Sequence, residues 1–124
     1  MAEVSIDTDR ENDLTIIAIR GILGENDLLD TLSEYFSNDP TRLTLYDSTE
    51  GDWSGNSTEY YRGMIRSGKA YARKGAKVAM VFSNSVDFGI GRMLESYSEF
   101  EEYKNEHACF RTIEEAKHWL SKPD

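Results

Sequence analysis

The stretch "KVAMVFSNSVDFGIGRML", residues 77–94, decides how the rest of the chain is read. Its first six residues are an almost unbroken apolar run, the pattern of a strand covered on both faces, and so of a position inside a sheet. A polar turn follows, then a helical repeat in which Ile90, Met93, Leu94, Tyr97 and Phe100 recur at three- and four-residue intervals with acidic residues between them. A buried strand feeding a helix is half of a strand-helix-strand unit.

Working outward, the same alternation recurs. "VSID" (4–7) and "LTIIAIRG" (14–21) read as two strands joined by the polar "TDREND". In "DLLDTLSEYF" (27–36), Leu28, Leu29, Leu32, Tyr35 and Phe36 form one helical stripe, stopped by the proline of "SNDP". "RLTLYD" (42–47) is a short strand followed by the turn formers "STEGDWSGN". Asn56, with Glu59 three residues on, predicts the N-cap of a second helix over roughly 57–74, its stripe made by Tyr61, Met64, Ile65, Tyr71 and Ala72. "HACF" (107–110) is a last strand, and "TIEEAKHWL" (112–120) a last helix with a Thr112–Glu115 capping box that buries Ile113, Ala116, Trp119 and Leu120. The order ββαβαβαβα predicts a single α/β domain over 1–124. Right-handed crossovers give it a mixed five-stranded sheet, with an antiparallel strand at one edge and helices on the faces.

Composition narrows the function classes. Against 14 basic residues stand 23 acidic ones, and the excess of nine negative charges argues against nucleic acid or an anionic membrane as the main partner. One cysteine, Cys109, leaves no intrachain disulfide and no thiolate cluster for a metal, which together with the absence of a signal-like N-terminus or membrane-length apolar run points to a cytoplasmic protein. No metal and no cofactor is indicated.

The order of elements, the stretch 77–94 and the tail "CFRTIEEAKHWL" resemble the bacterial STAS-like family, relatives of the anti-sigma-factor antagonist domain and of CRAL-TRIO lipid-transfer domains. Phe88, Gly89, Arg92 and Met93, with Phe110, Glu115, Ala116, Trp119 and Leu120, carry the likeness. It implies a sheet of about five strands with helices on its faces, and it brings no activity with it. Antagonist domains place Asp-Ser-Ser-Gly at the start of their second helix, where a partner kinase phosphorylates the serine. Here that place reads Asn56-Ser57-Thr58-Glu59, so the phospho-switch does not carry over. Ser57 nonetheless stands at a helix N-terminus that would accept a phosphate, with Arg62 placed to approach it; the plainer reading is that it extends the cap.

Other residues invite chemistry and are weighed against plainer roles. Gly89, Gly91 and Arg92 offer a partial anion cradle, but Leu94 stands where a dinucleotide fingerprint wants its third glycine, so the favoured role is tight packing of a helix start capped by Asp87 or Ser85, with Phe88 and Met93 in the core. No nucleophile-base-acid set surrounds His107 or His118, which read as solvated surface histidines, and the chain reads as non-enzymatic. Asp47, Glu50 and Asp52 could hold a cation at a strand end but read more simply as solvated acids. Two roles are open to Trp53 in its polar loop: it folds back, or it meets a partner. Tyr60 and Tyr61 point in adjacent helical directions, so Tyr60 is expected to be exposed. The leading expectation is a protein-interaction or regulatory module, with homodimerisation as one form of it, contacting its partner through Trp53, Ser57, Tyr60, Phe88, Gly89, Gly91 and Arg92. The alternative is a carrier or sensor of a small apolar, lipid-like ligand held between helices two and three and the sheet, with Met64 and Met93 lining the groove.

Overall fold

The structure is a computed structural model and describes residues 2–24, 29–37, 40–69 and 73–122. The elements run β1 (Glu3–Asp9), β2 (Leu14–Ile22), α1 (Leu29–Ser37), β3 (Leu43–Asp52), α2 (Thr58–Gly68), β4 (Lys77–Val81), α3 (Ser85–Phe100), β5 (Glu106–Phe110) and α4 (Ile113–Ser121). This is the order expected from the sequence. The five strands form one sheet in the order β1-β2-β3-β4-β5, with β1 antiparallel to β2 and every other pair parallel.

Sequential parallel strands joined by right-handed crossovers must send every crossover helix to the same face. The packing shows it. One core joins Ile19, Leu23, Val78, Met80 and Phe82 of the sheet to Tyr61 and Ile65 of α2 and Leu94 of α3, with Leu32 of α1 packed against it. The second core, on the other face, joins Leu43, Leu45, Ala79 and Val81 to Ala116 and Leu120 of α4 alone. Alternate residues of β4 therefore enter different cores, and all five of its residues are buried, which is why residues 77–81 read as an unbroken apolar run. Lys77, at the start of that strand, is 4% exposed; its ammonium donates to Lys122 O at 3.0 Å and lies 5.4 Å from the Trp119 ring centre. The stem packs and the charge is satisfied.

Several boundaries differ from the sequence reading, each for a local reason. β3 runs on to Asp52 instead of stopping at Asp47, because Glu50, Gly51 and Asp52 pair with Arg20, Gly21 and Ile22 beyond a bulge in the register. α2 is capped by Ser57, whose side chain accepts from Tyr60 N at 3.1 Å; the expected cap, Asn56, instead donates from Nδ2 to Leu23 O at 2.7 Å. The expected continuation of α2 through Tyr71 and Ala72, like the stripe positions Leu28, Leu29 and Phe36 of α1, lies outside the described side chains. α3 starts earlier than its apolar repeat, at Ser85, with Asn84 and neither Ser85 nor Asp87 as cap: Asn84 Oδ1 accepts from Asp87 N at 2.8 Å. At the other end of α3, Phe100 belongs to the apolar repeat but is 82% exposed. Thr112 caps α4 as expected, accepting from Glu115 N at 3.2 Å and donating to Glu115 Oε1 at 3.0 Å.

Candidate functional site

The parallel strands β2, β3 and β4 end on one rim of the sheet, and α2 and α3 begin there. Asp52, the last residue of β3, accepts from Ser54 N (2.9 Å) and Ser54 Oγ (2.6 Å), a side-chain turn that redirects the chain toward α2 and holds the Asp52 carboxyl below the usual carboxylate range. Between strand and helix lies Trp53. Its backbone N–H donates to Asp87 Oδ2 at 3.2 Å, its indole Nε1 to Ser48 Oγ at 3.0 Å, and its carbonyl accepts from the Tyr61 hydroxyl. The ring stacks on Tyr61 (centroids 5.8 Å apart, planes at 20°) and meets Phe82 edge-on at 5.4 Å. With 2% of its surface exposed, Trp53 is core. Of its two open roles the structure takes the first, and a partner contact through its indole is ruled out by burial.

The remaining residues singled out in the sequence divide between this rim and the flank of α3. Ser57 is exposed and its hydroxyl is spent on the cap; Tyr60, expected to be exposed, is half-buried with its ring edge on Tyr61 at 5.2 Å. Arg62 does not turn toward Ser57: its guanidinium lies 5.1 Å from the Tyr97 ring centre. Phe88 is half-buried against the main core, with the Arg111 guanidinium 4.4 Å above its ring. Gly89 and Gly91 lie inside α3, past its first turn, so their amides are committed to the helix and cannot cradle an anion. Gly91 has a packing role. A Cβ there would stand 2.4 Å from Phe82 Cε2 and 2.9 Å from Cys109 Sγ, so its bare backbone is what lets α3 lie close on β4 and β5. Arg92 faces outward, its side chain 66% exposed, paired at 3.3 Å with Glu95 one turn on. The sequence thus brought Ser57, Tyr60 and Phe88 to the rim side of the molecule and assigned there two residues, Gly91 and Arg92, that belong farther along α3.

What the sequence reading missed on this rim is apolar. Ile22, last in β2, is 62% exposed, and Val86, in the first turn of α3, is 64% exposed. They are linked through the rim's own bonding: Ile22 is the strand partner of Asp52, Trp53 follows Asp52, and Trp53 N–H is held by Asp87, the neighbour of Val86. Periodicity could not flag either residue, because both sit at element ends where it gives no face.

The acidic trio does not form a cation site. Asp47 Oδ1 accepts from Thr49 N and Oγ1 at 3.1 and 2.7 Å, Glu50 pairs with Arg20 at 2.9 Å, and Asp52 is engaged by Ser54; no group of metal-ligating side chains of three or more occurs among the described residues. His118 is exposed as expected. His107 is not: its ring packs edge-on to Tyr103 at 5.1 Å and burial pushes its pKa down to about 4, so the imidazole is neutral near pH 7. Cys109 is half-buried, and burial together with Glu95 raises its thiol pKa well above the usual range, so it remains an unreactive thiol. Met64 and Met93 are half-buried on the core whose interior is filled by Trp53, Tyr61, Phe82 and Leu94.

No family model matches the chain, and no curated protein matches its sequence. Among solved structures it is similar to an uncharacterised protein of the DUF3478 family with a SpoIIAA-like fold from Shewanella loihica PV-4. The TM-score is 0.61 and the identity 17%, over 96% of this chain and 93% of that one. At that identity the likeness shows the fold: the chain has the SpoIIAA-like, STAS-like architecture that its order of elements predicted. No helix among the described residues is long and apolar enough to cross a membrane.

Proposed function

We propose that this protein is a non-enzymatic interaction module that binds another protein through the rim where β2, β3 and β4 end and α2 and α3 begin. The observation that carries the reading is the pair Ile22 and Val86, 62% and 64% exposed, on a rim otherwise braced by the Trp53–Asp87 and Trp53–Ser48 hydrogen bonds. Large aliphatic side chains held in water on rigid element ends favour contact with an apolar partner surface. Ser57, Tyr60 and Phe88 flank them and supply the polar and aromatic border. The chain's excess of nine negative charges favours a basic partner and speeds its encounter. The partner reading stands ahead of an apolar-ligand carrier because the space between α2, α3 and the sheet is occupied by the protein's own side chains.

A photo-crosslinking amino acid placed at Val86 or Ile22 tests it. The expected result in cells that make this protein is one discrete adduct from either rim position. The same probe at Phe100, exposed at the far end of α3, should give none, and Ile22→Asp should abolish the Val86 adduct. Adducts of equal yield from all three positions would remove the rim as the recognition surface.

A further inference from the structure

A second surface lies away from the rim, at the β5 border of the sheet. β5 pairs with β4 on one side only. Glu106 N donates to Ala76 O at 3.0 Å and Phe110 O accepts from Phe82 N at 3.1 Å, so residues 106, 108 and 110 turn their backbone groups inward. In a parallel ladder the alternate residues, His107 and Cys109, therefore turn theirs outward, where no backbone partner meets them among the described residues. This is a strand edge open to pairing. Beside it α3 and α4 wall a cavity of about 410 Å³, lined by Glu95, Ser98, Tyr103, Asn105, His107 and Trp119, with Glu99 and Glu106 also on its wall.

The lining has one chemical character. Glu95 Oε2, Asn105 Oδ1 and His107 Nδ1 are sealed from solvent and make no hydrogen bond. The Arg92 guanidinium stands 3.3 Å from Glu95 Oε2, an ion pair across one helical turn without hydrogen-bond geometry. Buried polar atoms are almost always satisfied, and the unpartnered Asn105 Oδ1 and His107 Nδ1, on a cleft that also carries the Glu95, Glu99 and Glu106 carboxylates, favour an occupant that donates hydrogen bonds and carries positive charge. The carboxylate oxygens and the Asn105 amide oxygen only accept; with Glu95, Glu99 and Glu106 around the cleft an anion is repelled, and an apolar group leaves the Asn105 oxygen empty. An ammonium brings three donors and a guanidinium five.

We propose that this cleft seats the ammonium or guanidinium group of a Lys or Arg carried on an extended segment of a partner protein, which pairs in β fashion with the outward backbone of His107 and Cys109. Main-chain bonding supplies the attachment and the cleft selects the side chain. The opposite border, β1, does not compete. It is exposed on nearly every residue, and neither the cleft at β5 nor its buried polar atoms has any part in it.

The probe is the capped pentapeptide acetyl-Thr-Val-Lys-Val-Thr-amide, titrated into the whole protein and followed by amide NMR. Saturable shifts at the His107 and Cys109 amides, with slowed hydrogen exchange there, are expected. Replacing the peptide's lysine by norleucine should weaken binding at least about tenfold, as should a Glu95→Gln, Glu99→Gln double variant. Free cadaverine, an amine without a backbone, should bind far more weakly than the peptide. Equal affinity for the norleucine peptide, or failure to saturate, overturns the cation seat; cadaverine binding as tightly as the peptide overturns strand pairing. The norleucine comparison uses the unaltered protein and so stands even if the double variant fails to fold. Ile22→Asp and Val86→Asp should leave peptide binding unchanged, so this inference and the rim reading fail separately.

Discussion

Trp53 and Asp87 lie 34 residues apart in sequence and are joined by a hydrogen bond from the tryptophan N–H to the aspartate Oδ2 at 3.2 Å, both groups almost wholly buried. The bond fastens the first turn of α3 to the β3–α2 connection, and so fixes where Val86 stands relative to Ile22. A buried carboxylate at a helix N-terminus is also favoured by the helix dipole.

Truncating the tryptophan therefore tests the core, and partner binding only indirectly. Trp53→Ala should cost about 3–5 kcal/mol, the range for a large aromatic removed from a packed interior. Asp87→Ala should cost about 1–3 kcal/mol by leaving the Trp53 N–H unsatisfied. Chemical denaturation measures both, and a Trp53→Ala variant with an unchanged midpoint would contradict the packing described here.

The two glycines of α3 should respond in opposite directions. Gly91→Ala drives a methyl into Phe82 and Cys109 and should destabilise by about 1–3 kcal/mol or more. Nothing lies within 4 Å of a Cβ at Gly89, so Gly89→Ala should stabilise by about 0.5–1 kcal/mol through helix propensity alone. Thermal melts of the two variants decide it, and stabilisation in both would mean that α3 stands off the sheet.

The cap of α2 is assigned to one residue. Ser57→Ala should cost about 0.5–2 kcal/mol, since Tyr60 N loses its acceptor. Ser57→Asp should retain most of the stability, because a carboxylate caps equally well. An alanine variant as stable as the parent would move the cap elsewhere.

Acid should weaken the fold through His107. Its pKa is about 4 in the folded chain and near 6.5 when unfolded, so between those values the unfolded chain binds more protons and stability rises with pH. On acidification the loss sets in near pH 6.5 and is complete near pH 4, on the order of 3 kcal/mol. Asp9 and Asp52, whose pKa values are lowered chiefly by hydrogen bonds from Asn12 and Ser54, lose their contributions at lower pH still, as they protonate below 3.8. Denaturant midpoints at pH 7 and 5 should differ in the parent and much less in His107→Gln; an equal drop in both would assign the loss to other groups.

The amino-acid sequence by itself determined the order of the elements and, through it, the sheet. Burial on both faces writes an unbroken apolar run into residues 77–81, and one-faced burial writes the stripes of α3 and α4, so these signals are local and survive without coordinates. Ends of elements were less legible: Asn56, Ser57, Asn84 and Ser85 are all competent caps, and which one is used depends on where the preceding strand stops. Only the tertiary structure decided what the loop and rim residues do. Trp53 reads as a surface aromatic between polar neighbours, and becomes core because Ser48 and Tyr61 on the flanking elements and Phe82 and Asp87 from much farther along the chain close around it. His107 reads as a solvated edge residue, and becomes a neutral wall of a cleft because α3 and Tyr103 pack over it. Burial is a property of three-dimensional neighbours, and no periodicity in the chain encodes contacts that arrive from other elements.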